Sequence, residues 1–336
     1  MNNFVSLADL SRDEVLDLLA LADRLERRPR PAALAGKVLA LLFFNPSLRT
    51  LASFQAGMAR LGGSSFVIAP GQGSWLLETR RGVVMDGAAA EHVQEAIPVL
   101  AGYADAIGIR SFAGGKDLAA DLVDETFAAM VDVCPIPLIN LESAIDHPCQ
   151  ALADWRTLDE LGVPERGGKF VLSWAWHPKA LPLAVPAATV QMAALRGMEV
   201  TVLRPEGFAL PQPVMAKARF AAAVSGGTVR ETADRGEAMA GAHALYAKSW
   251  TAPSAYGDPE AEAKLRQGLR DWCVGEDWFR TAAPDCRFLH CLPVRRNVVV
   301  RDEVLDGPRS AVVREAHNRM WTQMAVLHRL FVGGAG

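Results

Sequence analysis

"GKVLALLFFNPSLRTLASFQAGMARL" (Gly36–Leu61) decides how the chain is read. Gly36 to Phe44 holds a short continuous apolar run, the pattern of a strand buried on both faces. Leu51 to Leu61 has helical character, and the turn between the two carries Ser47, Arg49 and Thr50. In open parallel sheets the ligand crevice lies beyond the carboxyl ends of the strands, which is where this turn falls. Two hydroxyls, a guanidinium and the unpaired amides of a helix N-terminus suit a phosphate dianion, because dipole, amides and cation all favour negative charge. Standing alone, the same residues would also make an ordinary Ser/Thr cap beside a solvated arginine.

The pattern repeats outward from this stretch. Upstream, Ser11 and Glu14 form a capping box, and Val15, Leu18, Leu19, Ala22 and Leu25 give one apolar helical face. Downstream, "SSFVIA" (64–69), "ADAIGIR" (104–110) and "IPLIN" (136–140) repeat the buried-strand signature with helical segments between them. After residue 150 the rhythm restarts with "GKFVLSWAW" (168–176), "MEVTVLRP" (198–205), "HALYAKSW" (243–250) and "RFLHCLP" (287–293). The expected fold class is α/β, with two doubly wound parallel-sheet domains and a C-terminal helix that packs back on the first. The expected boundaries are 1–146 plus 314–336 for the first domain and 147–313 for the second.

With 336 residues, half of them hydrophobic, the chain is long enough for two cores of ordinary size. A net charge of -3, with acids and bases interspersed, offers no basic field for nucleic acid and no cationic helix for a lipid surface. The N-terminus lacks a basic region followed by an apolar one, and no apolar run reaches the ~18 residues that span a bilayer, so a cytoplasmic protein is expected. Cys134, Cys149, Cys273, Cys286 and Cys291 are scattered and odd in number, which argues for reduced thiols rather than disulfides or a zinc site.

The residues just after each apolar run carry the chemistry. Arg110, Lys248, Arg295 and Arg296 follow strands, so several cations are expected at one edge, as a polyanionic substrate requires. "HPCQ" sets His147 and Gln150 three apart at a helix start, within reach of a carbonyl and its substituents. "HCLP" brings Cys291 and Leu292 to a strand end, where their backbone carbonyls face the crevice. "GQGSW" (71–75) lacks the third glycine of a dinucleotide fingerprint, and "FAGGKD" (112–117) lacks the first glycine and final hydroxyl of a Walker loop. No metal and no cofactor are expected.

"SLRT", "HPCQ" and "HCLP", in this order on two α/β domains, resemble the aspartate and ornithine carbamoyltransferase family over nearly the whole chain. "FFNPSLRT", "GSWLLETRRGVVMDG", "YAKSW" and "HCLPVRRNV" look like the branch that acts on N-acetylornithine or N-succinylornithine, and the "SMG" loop of ordinary ornithine enzymes is absent. The resemblance implies that Ser47, Leu48, Arg49 and Thr50 bind the phosphate of carbamoyl phosphate, Leu48 through its backbone. It implies that Arg110, His147, Gln150, Arg319 and the carbonyls of Cys291 and Leu292 hold the carbamoyl group. Glu142, His177, Lys248, Leu292 and Arg295 would hold the acylated ornithine. Trp75 would enter from a neighbouring subunit of a homotrimer. Arg49, Thr50, Arg110, His147, Gln150 and Cys291 would be the catalytic set.

Acyl specificity is expected at Ala90, where acetylornithine enzymes of the family carry a glutamate two residues before the histidine of "EH". An alanine leaves room there for a succinyl carboxylate and removes a like charge, which points to N-succinylornithine, with N-acetylornithine as the alternative. One departure stands out. Leu51 occupies the position where the family's phosphate motif usually continues with a second arginine.

Overall fold

The computed structural model describes residues 1–333, so the end of the expected segment 314–336 lies outside the described residues. The chain divides into two compact units, the first holding residues 1–114, 119–149 and 319 onward, the second 115–118 and 150–318.

In the first unit, strands β1 (Val38–Phe43), β2 (Ser64–Ile68), β5 (Ala106–Arg110) and β6 (Leu138–Glu142) form one parallel sheet in the order β2-β1-β5-β6. A separate two-stranded piece pairs β3 (Leu77–Glu78) with β4 (Glu91–His92). β5 and β6 are buried along their whole length, and β1 from its second residue on, which is why β1 is an unbroken apolar run and β5 and β6 are mostly Ile, Leu and Ala up to the charged residues that end them. β2 was read as the same kind of strand, but it sits at the sheet edge and is only half-buried. Leu42, Ile107, Ile109 and Leu138 pack with Val93, Ile97, Phe127 and Met130 from the covering helices to make the core.

Chain order runs from β1 outward to β2 and returns to β5 on the other side of β1. The sheet therefore changes direction between β1 and β5, and a crevice opens at the carboxyl ends of those two strands. Phe43 is level with Arg110 in the register, so the turn after β1 and the end of β5 lie side by side.

The long C-terminal helix, Val312–Val332, returns its second half to this unit. A Cβ on Gly57 would stand 3.1 Å from Met324 Cγ, so the glycine lets helix Leu48–Arg60 and the C-terminal helix come close. Arg60 also lies over the Trp321 ring at 5.6 Å.

The second unit holds a five-stranded parallel sheet of β7 (Lys169–Trp174), β8 (Glu199–Leu203), β9 (Thr228–Thr232), β10 (Ala244–Lys248) and β11 (Arg287–Leu289), in the order β11-β10-β7-β8-β9. β9 escapes a reading by apolar runs because it is an edge strand with the charged sequence "TVRET". Here the direction changes between β7 and β10. Lys248 is level with Trp174, so the segments 175–177 and 248–250 adjoin at the carboxyl edge.

No helix among the described residues is long and apolar enough to cross a membrane. The five cysteines are free thiols, and burial pushes Cys149 and Cys286 up to about 12. No group of His, Cys, Asp and Glu among the described residues is placed to hold a metal ion.

Candidate active site

The first unit concentrates positive charge at its switch point. Ser47 caps helix Leu48–Arg60: its Oγ accepts from Thr50 N at 3.3 Å and donates to Thr50 Oγ1 at 3.0 Å. Arg319, from the C-terminal helix, donates through Nη2 to the same Thr50 Oγ1 at 2.7 Å. Two donors thus occupy the lone pairs of the Thr50 hydroxyl, and its own proton is left to be given onward. Leu48, at the first helical position, has its side chain in solvent.

Arg110 is buried at the end of β5, its guanidinium 4.5 Å from the Phe112 ring centroid. The β5–β6 register shifts between Ile109 and Arg110, which sets Glu142 level with Arg110. Arg110 Nη1 donates to Glu142 Oε2, and His147 Nε2 lies 3.4 Å from that same oxygen. Glu142 was expected to hold the acylated ornithine. Here it pairs with Arg110 and lies beside His147.

Burial pulls the Arg319 guanidinium below its ordinary range, and the like charges of Arg110 and Arg49 add to this. The Nε atoms of Arg110 and Arg319 are buried without a hydrogen-bond partner. The guanidiniums of Arg110 and Arg319 are buried together at this end of the sheet. Such an excess of buried positive charge is stabilised by a bound dianion, and the helix N-terminus adds its amides to the same end.

The second unit gathers a different set. Arg295 Nε donates to His177 Nε2 at 3.1 Å, and His177 Nδ1 lies within hydrogen-bond distance of Lys179 O (2.9 Å) and Lys179 N (3.1 Å). Burial lowers the His177 pKa from 6.5, Lys179 O opposes this, and the charges of Arg295, Lys248 and Arg266 lower it further. His177, Lys248 and Arg295 therefore form one cationic group around a neutral imidazole. Arg295 reaches it from the loop after β11 rather than from a strand end.

Leu292 in that loop is held in the left-handed backbone region (φ 52°), which is strained for a leucine, and its N–H is fixed by His290 Nδ1 at 2.9 Å. Gln150 is buried, with Nε2 donating to Asp154 Oδ1 (2.7 Å) and Glu315 Oε1 (3.0 Å). Only its Oε1 is left for a ligand.

Arg296 was expected among the converging cations and does not join them. Asp302 and Asp306 take its guanidinium at 2.7 Å on the surface, a fork-to-carboxylate pairing that turns it from the crevice. Arg266 was missed. It donates to Ser249 Oγ (2.8 Å), Trp250 O (2.6 Å) and His177 O (3.3 Å), and its buried partner Glu262 neutralises it. The "YAKSW" turn is shaped by this arginine. The spacing of Glu262 and Arg266 was the only signal, and it matches any solvated helical ion pair.

Trp75 and Ala90 lie on the β3/β4 piece. Trp75 is 60% exposed and donates through Nε1 to Glu91 Oε2 at 2.8 Å; Ala90, also exposed, donates its backbone N–H to Leu76 O at 3.1 Å. His92 caps helix Val93–Ala101 and is bonded to Arg80 O at 3.0 Å, which fixes the strand that follows Ala90.

His177 gives a pH prediction. Its imidazole accepts from Arg295 only while neutral, and its pKa lies below 6.5. The unfolded chain takes up the proton first as pH falls through 6.5, so this group's contribution to stability is lost between 6.5 and its lower folded value. Binding in the second unit is expected to be constant from pH 8 to 6.5 and to weaken below that. His177→Gln should remove this limb from the pH dependence of KM for the amino acceptor; an unchanged limb would assign it to another group.

These two half-sites, on two parallel sheets, define the class of protein. Residues 2–160 match the family model for the carbamoyl-P binding domain of aspartate/ornithine carbamoyltransferase, and residues 185–330 match that for its Asp/Orn binding domain. The chain belongs to the aspartate/ornithine carbamoyltransferase family. It is 39% identical to the N-acetylornithine carbamoyltransferase of Xanthomonas campestris pv. campestris, covering 98% of both chains. It is 38% identical to the N-succinylornithine carbamoyltransferase of Bacteroides thetaiotaomicron, over 89% of this chain and 88% of that one. A solved N-acetyl-L-ornithine transcarbamylase variant, with one glutamate changed to alanine and complexed with carbamyl phosphate and N-succinyl-L-norvaline, superposes with a TM-score of 0.95. That match has 38% identity and covers 98% of this chain and all of the other.

Proposed function

We propose that the protein transfers the carbamoyl group of carbamoyl phosphate to the δ-amine of an N-acylated ornithine, and that N-succinyl-L-ornithine is its preferred acceptor. The charge of the first unit carries the first part of this reading. Arg49, Arg110, Arg319 and the Leu48–Arg60 helix N-terminus take the phosphate and carbamoyl ends of the donor. His177, Lys248 and Arg295 take the carboxylates of the acceptor.

The neutral δ-amine attacks the carbonyl carbon and forms the C–N bond, negative charge grows on the carbonyl oxygen, and the bond to the phosphate oxygen breaks. Arg110, His147 and the Thr50 hydroxyl donate to that oxygen, while Arg49 and the helix amides stabilise the departing phosphate. Phosphate accepts the proton lost by the amine. No covalent intermediate is needed, and holding the reactants face to face supplies about 7 to 11 kcal/mol of the barrier reduction.

Ala90 supports the succinyl acceptor. Variants of an N-acetyl-L-ornithine transcarbamylase captured with a succinylated amino acid have one glutamate changed to alanine, proline, serine or valine, each uncharged. The family resemblance makes the acyl end meet this residue from a neighbouring copy in a homotrimer. The exposed Trp75, Leu76, Val84 and Met85 around β3 and β4 fit a surface that another copy covers. N-acetyl-L-ornithine is the second reading, favoured by the greater coverage of the match to an N-acetylornithine carbamoyltransferase.

Citrulline-product formation from carbamoyl phosphate with ornithine, N-acetylornithine and N-succinylornithine in parallel tests both parts. The succinylated acceptor is expected to have the highest kcat/KM. Preference for the acetylated one would overturn the acyl assignment alone, and no turnover with any of the three would overturn the activity.

A further inference from the structure

Beside Gln150, within the second unit, lies a buried acidic pair that the reaction itself does not use. Asp154 and Glu315 are both fully buried, the first on helix Pro148–Glu160 and the second on the C-terminal helix. Burial and the neighbouring Asp154 raise Glu315 well above the ordinary carboxylate range. Two carboxylates so close in a dry interior do not both ionise, and the pair holds a proton.

Both take a hydrogen of the same atom, Gln150 Nε2, at 2.7 and 3.0 Å. A carbonyl oxygen in that place would face an unprotonated carboxylate oxygen, so the amide has one allowed orientation. Gln150 Oε1, buried and without a partner, is then the atom offered to a ligand. The second oxygen of Glu315 accepts from His290 N at 2.9 Å, and His290 Nδ1 in turn fixes Leu292 N. One carboxyl group thus sets both the Gln150 amide and the start of the "CLP" loop.

We propose that Glu315 is a positioning residue which, with Asp154, fixes Gln150 as a hydrogen-bond acceptor and so makes the site select a carbamoyl NH2 over a methyl group. The inference rests on the carbamoyl phosphate reading above. An acceptor-only Gln150 bonds an amide N–H of carbamoyl phosphate, whereas the methyl of acetyl phosphate leaves its oxygen buried and unpaired.

The test compares carbamoyl phosphate, acetyl phosphate and inorganic phosphate by calorimetric titration of the whole protein. Wild type is expected to bind carbamoyl phosphate at least 10-fold more tightly than acetyl phosphate. Glu315→Leu should lose most of that preference, raise KM for carbamoyl phosphate more than it lowers kcat, and leave inorganic phosphate affinity unchanged. Glu315→Gln has a single acceptor oxygen for two donors, Gln150 Nε2 and His290 N, and should recover only part of the preference.

An equal loss for all three ligands in Glu315→Leu, or an undiminished preference in that variant, would overturn the proposal and leave Glu315 a structural residue. Should Glu315→Leu not fold, Asp154→Ala removes the other acceptor and must also reduce the preference. A wild type that binds carbamoyl and acetyl phosphate equally overturns the inference without any variant. A wild type that binds no carbamoyl phosphate instead defeats the functional reading on which the inference stands.

Discussion

Arg110→Met is expected to abolish most activity and to weaken the fold, for two separable reasons. In the proposed mechanism Arg110 is a preorganised donor where negative charge develops, and losing one such donor costs about 10²- to 10³-fold in kcat. Its Nη1 is also bonded to the buried Glu142, so the variant leaves a carboxylate without its cation. Breaking a buried pair from one side typically costs about 3 to 5 kcal/mol. The double variant Arg110→Met/Glu142→Gln removes both charges and should recover most of the lost Tm while staying inactive. Citrulline formation and thermal unfolding, measured on both variants, check this. Recovery of turnover in the double variant would mean that Arg110 serves the fold alone.

Ala90→Glu is expected to reverse the acyl preference. A carboxylate introduced about 4 Å from a succinyl carboxylate meets a repulsion on the order of 4 kcal/mol at the effective dielectric of a protein surface. Half of that already corresponds to about 30-fold in affinity. The acetyl group carries no charge, so kcat/KM for N-acetylornithine should hold or rise while that for N-succinylornithine falls by roughly 30- to 100-fold. Ala90 is exposed and bonds to Leu76 O through its backbone N–H, so the substitution leaves the unit's core intact. Parallel loss with both acceptors would assign the residue to assembly or folding rather than to specificity.

The β strands were legible where burial on both faces made the sequence uniformly apolar, as in "VLALLF" and "AIGIR". They were illegible at sheet edges, where β9 carries charges because one side meets water. The capped turn after β1 was legible because its geometry is local. Ser47 caps the helix that begins one residue later, and that geometry needs no distant partner.

What the sequence determined by itself is the set of short-range facts: alternating strands and helices, the capped turn after β1, and the "HPCQ" and "HCLP" residues at strand ends. Tertiary structure alone decided which of these side chains meet. A register shift of the β5–β6 pair sets Glu142 beside Arg110, and Arg319 reaches Thr50 from 269 residues away. Asp302 and Asp306 withdraw Arg296 from the site, and Glu315 fixes Gln150 across 165 residues. Periodicity and propensity act within a few residues along the chain, whereas these contacts follow from strand register and helix packing, which local sequence does not encode.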